Sequence, residues 1–253
     1  MPSGCWLACQ GCWPNAHRGR GCARSGASPC IDGGVGAHGP QARAKAVEEV
    51  ALTLGPLSLR IELWPDLGIG GELWPAGRLL AWGFAEAWPG LPAVSGRRVA
   101  ELGAGAGLPS LACGMLGASE VVLTDMAPVV GLMQRNIALN GLGASCRAEV
   151  LDWESPWSSP AVGSSPPFDV VLAADVLYFE AQDPFVEALE ALLTPGHTEL
   201  VLAYRERTPA DRSFLEGSVL ARLEGVRYVE CRGAADERGG CEIYVGRLRR
   251  RSY

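Results

Sequence analysis

From Val47 onward, apolar residues recur either at every second position or at spacings of three and four, as strands and helices require. VALTL and LSLRIEL alternate on either side of Gly55-Pro56, which predicts a β-hairpin. In GGELWPAGRLLAWGFAEAW, Pro75 suits a first helical turn, and Leu80, Phe84 and Trp88 share one face. LPAVSG breaks the pattern. After it, strand and helix take turns. RRVAEL, EVVLTD, ASCRAEVLDW, FDVVLAAD and TELVLAY read as strands. GLPSLACGMLG, APVVGLMQRNIALN, DPFVEALEALLT and DRSFLEGSVLARLE read as helices between or after them. GVRYVEC and GCEIYVGRL close the chain as two strands around the polar turn RGAADERGG. Such alternation predicts an α/β fold whose mostly parallel sheet is covered by helices on both faces. The last turn is too short for a crossover helix, so the final pair is expected to be antiparallel.

Residues 1–44 lack either period. They are rich in Gly, Ser, Cys and Arg, with Asp32 the only acid. Disorder is the first reading of this tail. An Arg-rich, acid-poor organellar transit segment is the second. A zinc site on Cys9, Cys12, Cys22, Cys30 and His17 is the third, because a second close ligand pair is missing. Residues 45–253 then read as one domain, expected to be a monomer without a metal. Composition adds exclusions. The formal charge is −6, and Lys45 is the single lysine among 22 basic residues, so stable nucleic-acid binding is not expected. No apolar run reaches the ~20 residues of a membrane helix. Cys113, Cys146, Cys231 and Cys241 show no pairing pattern and read as buried thiols of a reducing, cytoplasmic compartment.

Chemistry enters at VAELGAGAGLPS. Gly103, Gly105 and Gly107 lie between a strand and its helix, where open α/β sheets bind ligands. The spacing does not fit the dinucleotide G-x-G-x-x-G, whose third glycine would fall at Leu108, and no lysine follows to make a P-loop. Glu101, two residues before the first glycine, is ill placed beside a pyrophosphate and well placed beside an ammonium group. Asp125 ends the next strand, where a carboxylate can accept from both hydroxyls of a ribose; capping the helix at Ala127-Pro128 is its other reading. Trp153 could lie against a flat base with Asp152 near its exocyclic amine, or be plain core. AADVLYFE then sets a carboxylate, Asp175, and a phenol, Tyr178, at the end of a buried strand.

Taken together, GELWPAG, VAELGAGAGLPS, VVLTD, LDW, AADVLY and EIYVGR resemble the seven-stranded S-adenosylmethionine-dependent methyltransferases, over about residues 47–248. More narrowly they resemble the group that methylates lysines on folded non-histone proteins. The resemblance implies a Rossmann-like seven-stranded sheet with an antiparallel C-terminal hairpin and an N-terminal hairpin extension. It implies that Glu101, Gly103, Ala104 and Gly105 surround the methionine part of S-adenosylmethionine, that Asp125 binds the ribose, and that Trp153 flanks the adenine. Ala174 would line the cofactor pocket and Trp74 would touch the cofactor. Asp175 and Tyr178 match the family's D-x-x-Y and would face the acceptor. Pro75 stands where the family commonly has Asp after the tryptophan. Beside an ammonium, a carboxylate raises the amine's pKa, so Asp175 is expected to hold and orient a lysine rather than deprotonate it. A small-molecule amine or carboxylate, a nucleic-acid base, and a catalytically silent cofactor-binding partner are the rival readings. Val176 and Leu177 weigh against the base, because nucleic-acid amino-methylases typically carry two prolines inside the analogous motif.

Overall fold

The computed structural model describes residues 46–163, 167–177, 182–231 and 240–250. The tail and its cysteines lie outside them, as does Tyr178. The chain enters through β1 (Glu48–Leu54) and β2 (Leu57–Leu63), an antiparallel pair that turns at Gly55-Pro56. Leu52, Leu59 and Ile61 are buried from this pair, as alternation requires. Helix α1 (Pro75–Ala85) follows and buries Leu79, Leu80 and Phe84. The helix ends three residues before the expected face does, yet Trp88 is still buried, past a left-handed Ala87.

The main sheet contains β3 (Arg98–Leu102), β4 (Glu120–Asp125), β5 (Cys146–Val150), β6 (Val170–Ala174), β7 (Glu199–Arg205), β8 (Leu223–Val229) and β9 (Cys241–Leu248). Their spatial order is β5-β4-β3-β6-β7-β9-β8. β3 to β7 pair in parallel, and β9 runs antiparallel to both β7 and β8. The chain winds outward from β3 to β5, then returns to the other side of β3 as β6. The carboxyl ends of β3 and β6 therefore flank the point where the winding reverses, the place at which open α/β sheets bind ligands.

Side-chain alternation builds two cores. Val99, Val121 and Leu123 point toward α1, α2 (Leu108–Met115), α3 (Val130–Leu139) and the hairpin. Ala100, Leu102 and Val122 point toward α4 (Gln182–Leu192) and α5 (Pro209–Phe214). The four scattered cysteines are buried, as expected. No helix among the described residues is long and apolar enough to cross a membrane.

Two expectations change. DRSFLEGSVLARLE is not one helix: α5 stops at Phe214, a wider turn spans Leu215–Val219, and a tight turn spans Leu220–Arg222. The third strand stops at Val150, so Leu151, Asp152 and Trp153 lie in the loop beyond it.

Gly107 explains how α2 sits so close to the sheet. Its φ is +83°, and a Cβ there would stand 2.5 Å from Cδ2 of the buried Leu123 on β4. Gly107→Ala is expected to lose roughly 2–4 kcal/mol, from the left-handed backbone plus overpacking. Chemical denaturation checks this; a loss below about 1 kcal/mol would mean Leu123 gives way easily.

Candidate functional site

The site lies along the carboxyl ends of β4, β3, β6 and β7. Its first half is the glycine loop. Gly103 has φ +70°, open to a residue without Cβ. A Cβ there would meet Val176 Cγ1 at 3.0 Å and Trp153 Cζ2 at 3.1 Å. The loop is tied down by backbone: Ala104 N–H donates to Thr124 O (2.9 Å) and Gly107 N–H to Ala104 O (2.8 Å). The buried Asn136 of α3 clamps it to the hairpin. Its Nδ2 donates to Ala106 O (2.9 Å) and Glu62 O (3.0 Å), and its Oδ1 accepts from Glu62 N–H (2.7 Å).

Glu101 shares the β3 face of Val99 and so points under α2. Its Oε2 accepts from Ser110 N–H at 3.1 Å, in the first turn of that helix. Burial pushes its carboxyl up to about 8, against the pull of Ser110, with the nearby Asp125 raising it further. Among the described residues no cation pairs with it. A buried carboxylate beside an open glycine loop suits a ligand ammonium.

Asp125 does not cap the following helical turn; Met126 occupies the cap position and no side chain bonds there. Instead Asp125 Oδ2 accepts from Gly105 N–H (2.8 Å) and Oδ1 from Met126 N–H (2.7 Å). Burial raises its pKa, and those two N–H groups oppose the rise. Each oxygen keeps a further lone pair for a ligand hydroxyl. Trp153 is half-buried, packed edge-on against Phe185 (centroids 5.2 Å apart) and against Gly103. It is thus neither plain core nor plain surface.

The second half of the site is built around Asp175. This residue follows β6 directly, and its φ of +59° is one of two left-handed values at non-glycine residues among those described. Asp and Asn tolerate that region better than most residues. Its N–H donates to Ala203 O of β7 (3.0 Å), which fixes the backbone. Its carboxylate is almost wholly buried. Oδ2 accepts from Ala76 N–H at 3.2 Å, the first N–H that α1 can offer, since Pro75 has none. Oδ1 accepts from Arg207 Nη2 at 2.8 Å. Arg207 stands in the loop between β7 and α5, with its guanidinium 5.7 Å from the ring centre of Trp74. Trp74 in turn donates through Nε1 to Ile69 O (2.9 Å). Ala174 is half-buried beside Asp175.

The expected residues thus fall into two groups. Glu101, Gly103, Ala104, Gly105, Asp125 and Trp153 gather at the glycine loop. Trp74, Ala174 and Asp175 gather at the α1 N-terminus. Val176 joins them, because it follows Asp175 and packs at Gly103. Arg207 was not foreseen from the sequence. The available signal was positional: β7 neighbours β6, so residues just past β7 reach the same edge.

Residues 56–219, more than half of the chain, match the model of a family described as lysine methyltransferase. The chain is 33% identical over 171 residues to protein-lysine N-methyltransferase EFM6 of Saccharomyces cerevisiae, covering 59% of this chain and 69% of that protein. It is 32% identical over 155 residues to the protein N-lysine methyltransferase METTL21A of Mus musculus, covering 60% and 68%. Among solved structures, a T. thermophilus 16S rRNA methyltransferase in complex with AdoMet and guanosine aligns with TM-score 0.59 and 19% identity. That alignment covers 81% of this chain and 51% of the other, and shows the fold alone.

Proposed function

The chain belongs to the lysine methyltransferase family, whose chemistry is S-adenosylmethionine-dependent methyl transfer, and on that premise we propose that its acceptor is the side-chain nitrogen of a lysine on a folded protein. The supporting observation is the junction at Val176. It sets the buried Asp175 carboxylate one residue from the side chain that packs on the glycine loop.

The residues present fit the cofactor. Glu101 offers a buried carboxyl that can ionise beside its ammonium, Asp125 further lone pairs for its ribose, and Trp153 an aromatic edge beside the glycine loop for its adenine. Gly103, Ala104 and Gly105 bring only backbone and a methyl near its methionine part. Trp74 and Ala174 are proposed to border the same space, on the resemblance alone. Bound S-adenosylmethionine supplies a methyl group on a sulfonium, which leaves as a neutral thioether.

No acid is therefore needed to assist departure, and the protein's task is alignment and an unprotonated acceptor. A lysine near neutral pH is protonated, and reaching the neutral amine costs about 4 kcal/mol in water. A dry site lowers that cost. Asp175 has two further lone pairs beyond those used by Ala76 and Arg207, so it can accept an N–H from the amine and aim the nitrogen. Tyr178 is proposed to border the same channel, on the resemblance alone. The relatives' names, as protein-lysine methyltransferases, favour protein over nucleic acid or small molecules.

Desalted yeast and mammalian lysates incubated with the protein and tritiated S-adenosylmethionine test the proposal. Label is expected in a discrete band that survives nuclease and is lost with protease. Label lost only with nuclease, or no labelled macromolecule, would refute it.

A further inference from the structure

We propose that Arg207 is a positioning residue that sets the protonation state of the acceptor: its charge cancels that of Asp175, so the lysine is held there as a neutral amine. The inference rests on the reading of the acceptor as an amine. A lone buried carboxylate would bind an incoming lysine as ammonium, which has no lone pair with which to attack. Asp175 is not alone. Its side chain is 1% exposed, with Arg207 on one oxygen and the α1 N-terminus on the other. The guanidinium supplies a full positive charge and the helix end a partial one. The carboxylate thus has its countercharge before any acceptor arrives, and an added ammonium would be a surplus charge in a dry place.

Arg207 is held from two directions. Its backbone N–H donates to Asp211 Oδ2 at 2.9 Å, within the cap that Thr208 and Asp211 build at the start of α5. Its guanidinium lies over Trp74. The other charged groups around the pair reinforce the sign. Arg205 ends β7, is exposed, and acts on the Cys241 thiol in the same sense as Arg207. Glu206 is paired with Arg212 at 2.9 Å, and Asp211 is taken up by the cap. On α1, Arg78 is exposed. Cys241 approaches from β9. Burial pushes the Cys241 thiol up to about 11, with Asp175 raising it and Arg205 and Arg207 opposing, so it carries no charge near neutral pH.

The test uses the full chain in large excess over the lysate acceptor, so that the labelling rate of the band is that of the bound complex. Rates are followed from about pH 6.5 to about pH 9.5, beside the affinity for S-adenosylhomocysteine and the melting temperature. In Arg207→Gln the rising limb is expected to move up by about one pH unit or more. The loss is then about tenfold near pH 7 and within about threefold at the alkaline end. Arg207→Lys keeps the charge and is expected to keep the limb. Both variants are expected to bind S-adenosylhomocysteine within about threefold of the parent. A loss by the same factor at every pH, or an equal limb shift in Arg207→Lys, overturns the inference while leaving lysine transfer standing. A parent protein that labels no band overturns both.

Discussion

Asp175→Asn is expected to lower methyl transfer by about 100-fold or more, while cofactor affinity stays within about threefold. Asparagine is the right probe because it tolerates the left-handed backbone that this position demands and nearly matches the aspartate in shape. Its fault is chemical. Both groups facing the carboxylate, Ala76 N–H and the Arg207 guanidinium, are donors. An amide has one oxygen to offer and must turn its NH2 toward the other donor. The acceptor amine then loses both its charged partner and its fixed direction. Removing the charge also leaves Arg207, about a third exposed, without its carboxylate, so a stability loss of roughly 1–3 kcal/mol is expected. Asp175→Ala is expected to lose transfer as well. It separates aim from shape, since it leaves a small void and no competing donor. Rates with saturating cofactor, read beside melting curves, check both. If each variant turns over like the parent with intact cofactor affinity, Asp175 does not orient the acceptor.

The second large effect concerns Glu101. In the free protein its carboxyl is raised from the ordinary 4.5 to about 8, chiefly by burial. A raised carboxyl favours the protonated folded state. Its contribution to stability is therefore complete below about pH 4.5 and is lost as pH climbs through about 8. An ammonium bound beside Glu101 would restore what the alkaline side loses. Cofactor binding is thus expected to release close to one proton near pH 7, and to tighten between about pH 6 and about pH 8. The melting-temperature gain on adding cofactor is expected to be larger at the higher pH. Glu101→Gln keeps an oxygen for Ser110 N–H but has no charge. It is expected to weaken the cofactor by about tenfold to 100-fold and to abolish the proton release. Calorimetry in two buffers of different ionisation enthalpy measures this. An affinity that ignores pH, with Glu101→Gln binding like the parent, would place the ammonium elsewhere.

Much of the fold was legible because period and punctuation agree. The parallel strands are short apolar runs, each helix between them has its own apolar face, and the glycine loop declares the first crossover. The gathering of the candidate residues at that loop was legible for the same reason: they lie at or just past strand ends, and strand ends meet at one edge. What could not be read was set by tertiary contact. An apolar period cannot tell one helical hydrogen-bond spacing from another, so the break after Phe214 left no trace. For Asp125 the ribose was the first reading and a helix cap the second, and only the tertiary contacts of its oxygens with Gly105 and Met126 N–H remove the cap. Arg207 sits in a polar loop with no motif, and only the adjacency of β6 and β7 brings it to Asp175. That contact gives the carboxylate a cation of its own, which is what the proposed lysine acceptor requires.

The chemical identity of the transferred label tests the central claim most directly. The tritiated band is hydrolysed to amino acids and the label separated by chromatography. Lysine transfer predicts radioactivity with N-ε-methylated lysines from the parent reaction and little from Asp175→Asn. Label on another amino acid, or equal labelled lysine from Asp175→Asn, would contradict it.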